Sequence, residues 1–179
     1  MKFNEPKGYM PITFLGASKE DIPEIQKLAR RIWEEAYREI LSDDQIKYML
    51  ELMYSEKVIV QELRSGVVWD IIVNKNQPCG FLSYTFGKDN SVKLSKIYIM
   101  DEARGKSIAA ESISRISQYA RDNGKEYVFL TVNKNNKRAI RAYEKNGFTI
   151  TDSVITDIGN GFVMDDFIME CPVKQQQRA

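Results

Sequence analysis

Arg104-Gly105-Lys106-Ser107-Ile108-Ala109, followed later by Asn136-x-x-Ala139-x-x-x-Tyr143-x-x-x-Gly147-Phe148, is the stretch whose reading decides the fold. The first run directly follows the apolar, β-branched segment Val92 to Met100 and opens a helical pattern. A helix start presents unpaired N–H groups and the positive end of a dipole, which together favour an anion. Arg104 and Lys106 add charge, Gly105 allows close backbone approach, and Ser107 can offer a hydroxyl. The spacing is neither the dinucleotide fingerprint G-x-G-x-x-G nor that of a P-loop, so a different phosphate ligand is implied. In the second run, Ala139, Ile140 and Tyr143 fall on neighbouring helical turns, with Tyr143 above a small residue. Without its context such an aromatic reads as core, and Asn136 as a cap.

Working outward, Tyr127 to Val132 reads as a buried strand between the two helices. The helix from about Lys106 to Asn123 carries Ile108, Ser112, Ile116 and Tyr119 on one face and stops at Gly124, while Asn135 or Asn136 caps the next, which ends at Gly147. Upstream, Val67 to Val73, Gly80 to Phe86 and Val92 to Met100 alternate in polarity around the turn segments Asn74 to Pro78 and Gly87 to Asn90, which predicts an antiparallel meander. Ile22, Ile25, Leu28, Ala29, Ile32, Trp33, Ala36, Tyr37 and Ile40 recur at helical spacing behind Ser18 and Pro23. Ser42-Asp43-Asp44 starts a further helix, and Glu56 to Leu63 forms a short apolar-bearing segment. Ile12 to Leu15 is a short strand, and Phe148 to Val173 predicts two strands around Asp157 to Gly161. The expected fold is α/β, a mixed and mostly antiparallel twisted sheet flanked by helices. A chain of 179 residues fits one domain, 1–179, with a core of about 12–173 between polar extensions.

With 26 basic and 25 acidic residues, no overall field favours nucleic acid or a membrane surface, and no apolar run reaches the roughly 20 residues of a membrane span. There is no histidine, and Cys79 and Cys171 follow no ligand spacing, so neither a metal site nor a Ser-His or Cys-His nucleophile is expected. Two isolated cysteines and a charged start without an apolar leader imply a reduced, cytoplasmic protein. Carboxylates, tyrosine, lysine, arginine and backbone groups remain for chemistry.

The two runs together resemble the GNAT superfamily of acetyl-coenzyme A dependent N-acetyltransferases, whose motifs are Gln/Arg-x-x-Gly-x-Gly/Ala and Asn-x-x-Ala-x-x-x-Tyr-x-x-x-Gly-Phe. The second motif matches at Asn136, Ala139, Tyr143, Gly147 and Phe148. The first matches at Arg104 and Ala109, with Ser107 in the usual glycine position. The resemblance implies acetyl-CoA as acetyl donor, its pantetheine arm on the backbone of Ile97, Tyr98 and Ile99 and its pyrophosphate on Arg104, Gly105, Lys106, Ser107, Ile108 and Ala109, with Asn136 a further cofactor-binding residue. It implies direct transfer to the primary amine of a small molecule, with Tyr143 as the acid that protonates the leaving thiolate. Members are often dimers, although no pattern in this chain locates an interface.

Many members carry a glutamate near the positions held here by Ser95 and Lys96, so the base stays open among water, Glu34, Glu35, Asp165 and Asp166. The acceptor segments carry aromatics and carboxylates, with Trp33, Glu34, Tyr37 and Asp165 as the substrate set. This mixture suits a polyamine, and the layout is similar to that of bacterial spermidine/spermine acetyltransferases. The alternatives are a protein N-terminal or lysine acetyltransferase, and a CoA-binding regulatory module that has lost turnover.

Overall fold

Periodicity and capping translate directly into the elements seen in the computed structural model, which describes residues 11–104 and 107–173. A capping box between Ser18 and Asp21, with the Ser18 N–H donating to Asp21 Oδ2 at 2.8 Å, precedes α1 (Ile22–Ala36). Ile22, Ile25, Leu28, Ala29, Ile32 and Trp33 form its buried stripe. The helical spacing predicted through Ile40 breaks at Ala36. The Tyr37 carbonyl accepts from the amides of both Ile40 and Leu41, closing a turn before Ser42 caps α2 (Asp43–Tyr54) by accepting from the Gln45 N–H. α3 (Glu56–Arg64) follows.

β1 (Thr13–Gly16), β2 (Val68–Asn74), β3 (Gln77–Phe86) and β4 (Ser91–Ile99) then pair antiparallel in sequence. The five-residue turn expected between β2 and β3 shrinks to Lys75-Asn76, both at positive φ, because that two-residue geometry matches strand twist. After α4 (Ile108–Asp122), β5 (Tyr127–Asn133) returns parallel to β4. α5 (Lys137–Lys145) and the hairpin β6 (Thr149–Gly159) and β7 (Phe162–Pro172) complete a seven-stranded sheet of order β1-β2-β3-β4-β5-β7-β6. Among the described residues only the β4–β5 pair is parallel, so the sheet is mixed and mostly antiparallel as expected.

Strand alternation divides the core in two. Ile72, Leu82, Leu94, Val128 and Leu130 pack with Ile108, Ile116 and Ile140 of α4 and α5. Trp69, Ile71 and Phe81 pack on the other face with Ile25, Ile32, Met49 and Ile59 of α1 to α3.

Candidate functional site

β4 and β5 pair only from Ser91–Tyr127 to Lys93–Phe129 and then separate. The cause lies in β4: Ser83 opposes Lys96 and Tyr84 opposes Leu94, leaving Ser95 as an extra residue. Such a bulge bends a strand and increases its twist. Beyond it, β4 keeps β3 on one side and β5 keeps β7 on the other, so their facing edges stay open onto a cleft of about 1570 Å³. Drug-sized pockets span roughly 300–1,000 Å³, so this cleft has room for two ligands.

Ile97, Tyr98 and Ile99 line it from β4, Arg104, Ser107, Ile108 and Ala109 from the start of α4, and Asn136 and Tyr143 from α5. Gly105 and Lys106 lie outside the described residues. Arg104 Nε donates to the Ile99 carbonyl at 3.1 Å, and its guanidinium also reaches Asp101. Arg138 Nη1 donates to the same Asp101 oxygen at 3.0 Å, and the two cations hold that carboxyl below its usual range. Ser107 is the N-cap of α4 at φ +61, the left-handed region that favours glycine, and its hydroxyl makes no cap bond. Asn136, rather than Asn135, caps α5 by accepting from the Ala139 N–H. Tyr143 packs against Phe148 with ring centroids 5.7 Å apart, and burial, reinforced by Tyr37, raises its phenol well above the ordinary value. It stays protonated at neutral pH and can act as a donor.

The other wall is aromatic. Trp33 Nε1 donates to the Tyr54 hydroxyl at 3.1 Å, its ring lies 4.5 Å from that of Tyr37, and the Tyr37 and Tyr98 hydroxyls are 3.5 Å apart. Trp33 and Tyr37 therefore both face the cleft. Glu34 does not: one residue on along a helix turns the side chain by about 100°, and it lines a shallow depression with Gln26, Lys27, Arg30 and Arg31. Glu35 lines the cleft and pairs with Arg31 at 3.6 Å.

Asp165 is likewise displaced from the expected substrate set. Neighbouring strand residues point to opposite faces, and Asp165 pairs with Lys134 at 2.5 Å while Asp166 lines the cleft. Asp166 is only 4% exposed, and burial, with Asp165 nearby, pushes its carboxyl up to about 6.

Sequence reasoning also missed the group beside the bulge. Lys96 is buried, bonds both Glu62 oxygens at 2.9 and 3.1 Å, and lies 4.7 Å from the Trp69 ring centre. Trp69 Nε1 donates to the same Glu62. Burial lowers the Lys96 ammonium below its usual range. No local pattern joins residues so distant in sequence.

The model of the acetyltransferase (GNAT) family matches residues 22–148. Uncharacterised N-acetyltransferases of Mycobacterium tuberculosis are 35% identical over 89 residues, which is 48% of this chain and 57% of theirs, so the match spans little more than half of those relatives. A spermidine N(1)-acetyltransferase of Thermoplasma acidophilum is 26% identical over 161 residues, covering 87% of this chain and 97% of its own. The crystal structure of a PaiA N-acetyltransferase from the same organism, in complex with coenzyme A, superposes with a TM-score of 0.78 at 25% identity, over 91% of this chain and 99% of that one. With the forked strands, the Arg104 turn and the Tyr143 helix in the arrangement just described, the chain belongs to the GNAT family of acetyltransferases.

Proposed function

We propose that the protein transfers an acetyl group from acetyl-coenzyme A to a primary amine of a small aliphatic polyamine. The observation that carries the transfer is Tyr143, a buried phenol kept in its neutral form on the wall of the fork between β4 and β5. When bound, acetyl-CoA supplies an activated thioester. In this reading the open edge of β4 at Ile97, Tyr98 and Ile99 pairs with its amide arm as a neighbouring strand would. The helix start at Ser107, Ile108 and Ala109 receives the phosphates together with Arg104, Gly105 and Lys106, and Asn136 fixes the α5 turn that carries Tyr143. A leaving thiolate, with a pKa of about 8.5 if it resembles cysteine, takes its proton from the Tyr143 hydroxyl. No covalent enzyme intermediate is required, because positioning supplies much of the rate.

The polyamine assignment draws on the spermidine acetyltransferase relative and on the acceptor side of the cleft. Trp33, Tyr37, Glu35, Glu39 and Asp166 all line the cleft. Aromatic faces and carboxylates together suit an aliphatic cation.

The test is acceptor-dependent thiol release from acetyl-CoA with spermidine, spermine, simple monoamines and peptides. Spermidine or spermine should be preferred, and Tyr143→Phe should lower kcat by about 10²-fold. Preference for peptides would replace the acceptor assignment. Coenzyme A binding without thiol release from any amine would leave only a binding module.

A further inference from the structure

We propose that Asp166 is the group that receives the acceptor's ammonium in the cleft and takes its proton, so that the freed amine can form the new C–N bond. This deepens the acetyl-transfer reading and rests on it.

The carboxylate has the isolation such a role needs. Asp166 sits on β7 opposite Asn133 of β5 and Val154 of β6, at 4% exposure, and lines the cleft. Its Oδ1 has no hydrogen-bond partner among the described residues, an expensive state for a buried acceptor. The cation that Asp166 feels is also engaged elsewhere: Lys134 pairs with Asp165 at 2.5 Å and lies over the Phe167 ring. From the α1 side the group that faces Asp166 is the Tyr37 hydroxyl, which also senses Tyr143. The β4 side offers no competing base, since Lys96 there is a cation locked to Glu62. Asp165, Lys134 and Tyr37 are thus the charged or titratable groups around Asp166; Lys134 favours its charged form, and burial with Asp165 outweighs that. A buried carboxylate with one oxygen unpartnered beside a cleft is completed by a ligand cation.

The chemistry balances. An aliphatic ammonium has a pKa of about 10.4, well above that of a carboxylate, so Asp166 binds it as an ion pair first. The ion-paired ammonium has no lone pair, so it first passes one proton to the Asp166 carboxylate, and the neutral amine so formed attacks the thioester carbonyl and makes the C–N bond. The C–S bond breaks and Tyr143 protonates the departing sulfur; the second proton of the now acidic nitrogen restores the Tyr143 phenol, and Asp166 returns the first to solvent. One proton is released for each amide formed from an ammonium.

Two measurements test this. The first is kcat/KM for spermidine against pH. With the carboxylate and the ammonium as the reacting pair, the wild-type profile rises to a plateau above about pH 6 and stays level to about pH 9. Asp166→Asn, which lacks the base, should lose about 10²-fold in kcat and climb tenfold per pH unit across that range, following free amine. It should still bind coenzyme A, which serves as the check on folding. An Asp166→Asn profile that keeps the wild-type plateau and kcat overturns the proposal. So does a rise in KM with kcat unchanged, since that describes an anchor without proton transfer.

The second measurement is the Asp166 side-chain carboxyl resonance in wild type, titrated with spermidine in the absence of donor. A shift with spermidine, absent with its uncharged triacetyl derivative, is expected; no shift with spermidine sinks the ammonium site. A shift in a protein that releases no thiol with any amine would instead overturn acetyl transfer, together with the proton step assigned to Asp166.

Discussion

Ser107 carries a backbone conformation that suits another residue. At φ +61 an L side chain crowds its own carbonyl, which costs about 1–2 kcal/mol, and the serine recovers nothing through a cap bond. Glycine has no such penalty but loses about 0.5–1 kcal/mol of chain entropy. Ser107→Gly is therefore expected to stabilise the protein by about 0.5–1 kcal/mol in urea denaturation and to tighten coenzyme A binding, because the helix-start amides become more accessible. Ser107→Ala should change neither by much. Asp166 presents the opposite case, a residue retained against stability. Its carboxyl titrates at about 6 in the fold against a reference of 3.8. A raised carboxyl pKa means that its contribution to stability is fully present below about pH 4 and is lost as pH rises through 6. Two pKa units correspond to about 3 kcal/mol, an upper bound on the penalty at neutral pH. Asp166→Asn should therefore be more stable than wild type by about 1–3 kcal/mol at pH 7.5, with the gap closing by pH 4, while kcat for acetylation falls. Denaturation at the two pH values reads this directly.

Helices and strands were legible because each carries its own period and its own stops, as the Ile22 to Trp33 stripe and the Gly124 and Gly147 ends illustrate. The motif residues of the cleft were legible for the same local reason, Tyr143 and Asn136 lying on one short helix. What decides the site's shape was not. The extra residue at Ser95 is defined only by how β4 registers against β3, and the choice of Asp166 over Asp165 only by which face of β7 meets the cleft. Gly80 belongs to this hidden layer. It lies beside a second bulge at Cys79, opposite Ile99, and a Cβ placed there would stand 2.3 Å from the Tyr98 carbonyl oxygen. Backbone cannot yield as a side chain does, so Gly80→Ala must push β4 toward the cleft. The expected result is a loss of about 1–3 kcal/mol in stability with weaker coenzyme A binding, since the displaced segment is the edge assigned to the amide arm. A stable Gly80→Ala variant with unchanged affinity would show that this edge does not hold the ligand.

Over the whole chain, 26 basic and 25 acidic residues leave almost no net field, so capture of a polyanion depends on the local arrangement at the cleft mouth. There one carboxylate, Asp101, occupies both Arg104 and Arg138. In the proposed reading it stands where the phosphates would bring their oxygens, so a phosphate contact to Arg104 or Arg138 must displace it. Asp101 is exposed, so the exchange happens in water, where ion pairs are weak and screened beyond about 8 Å at physiological salt. Removing the competitor should help binding modestly. Asp101→Asn is expected to tighten coenzyme A binding by about 2- to 5-fold at low salt, and Arg104→Ala to weaken it. The salt dependence separates this from a change in shape. Freed guanidiniums give Asp101→Asn a steeper decline in affinity than wild type as salt rises, so that the two converge near 1 M, where the screening length is about 3 Å. Calorimetric titration across that range decides it: parallel salt curves for wild type and Asp101→Asn would mean that Asp101 does not compete with the ligand, and that the phosphates lie away from Arg104 and Arg138.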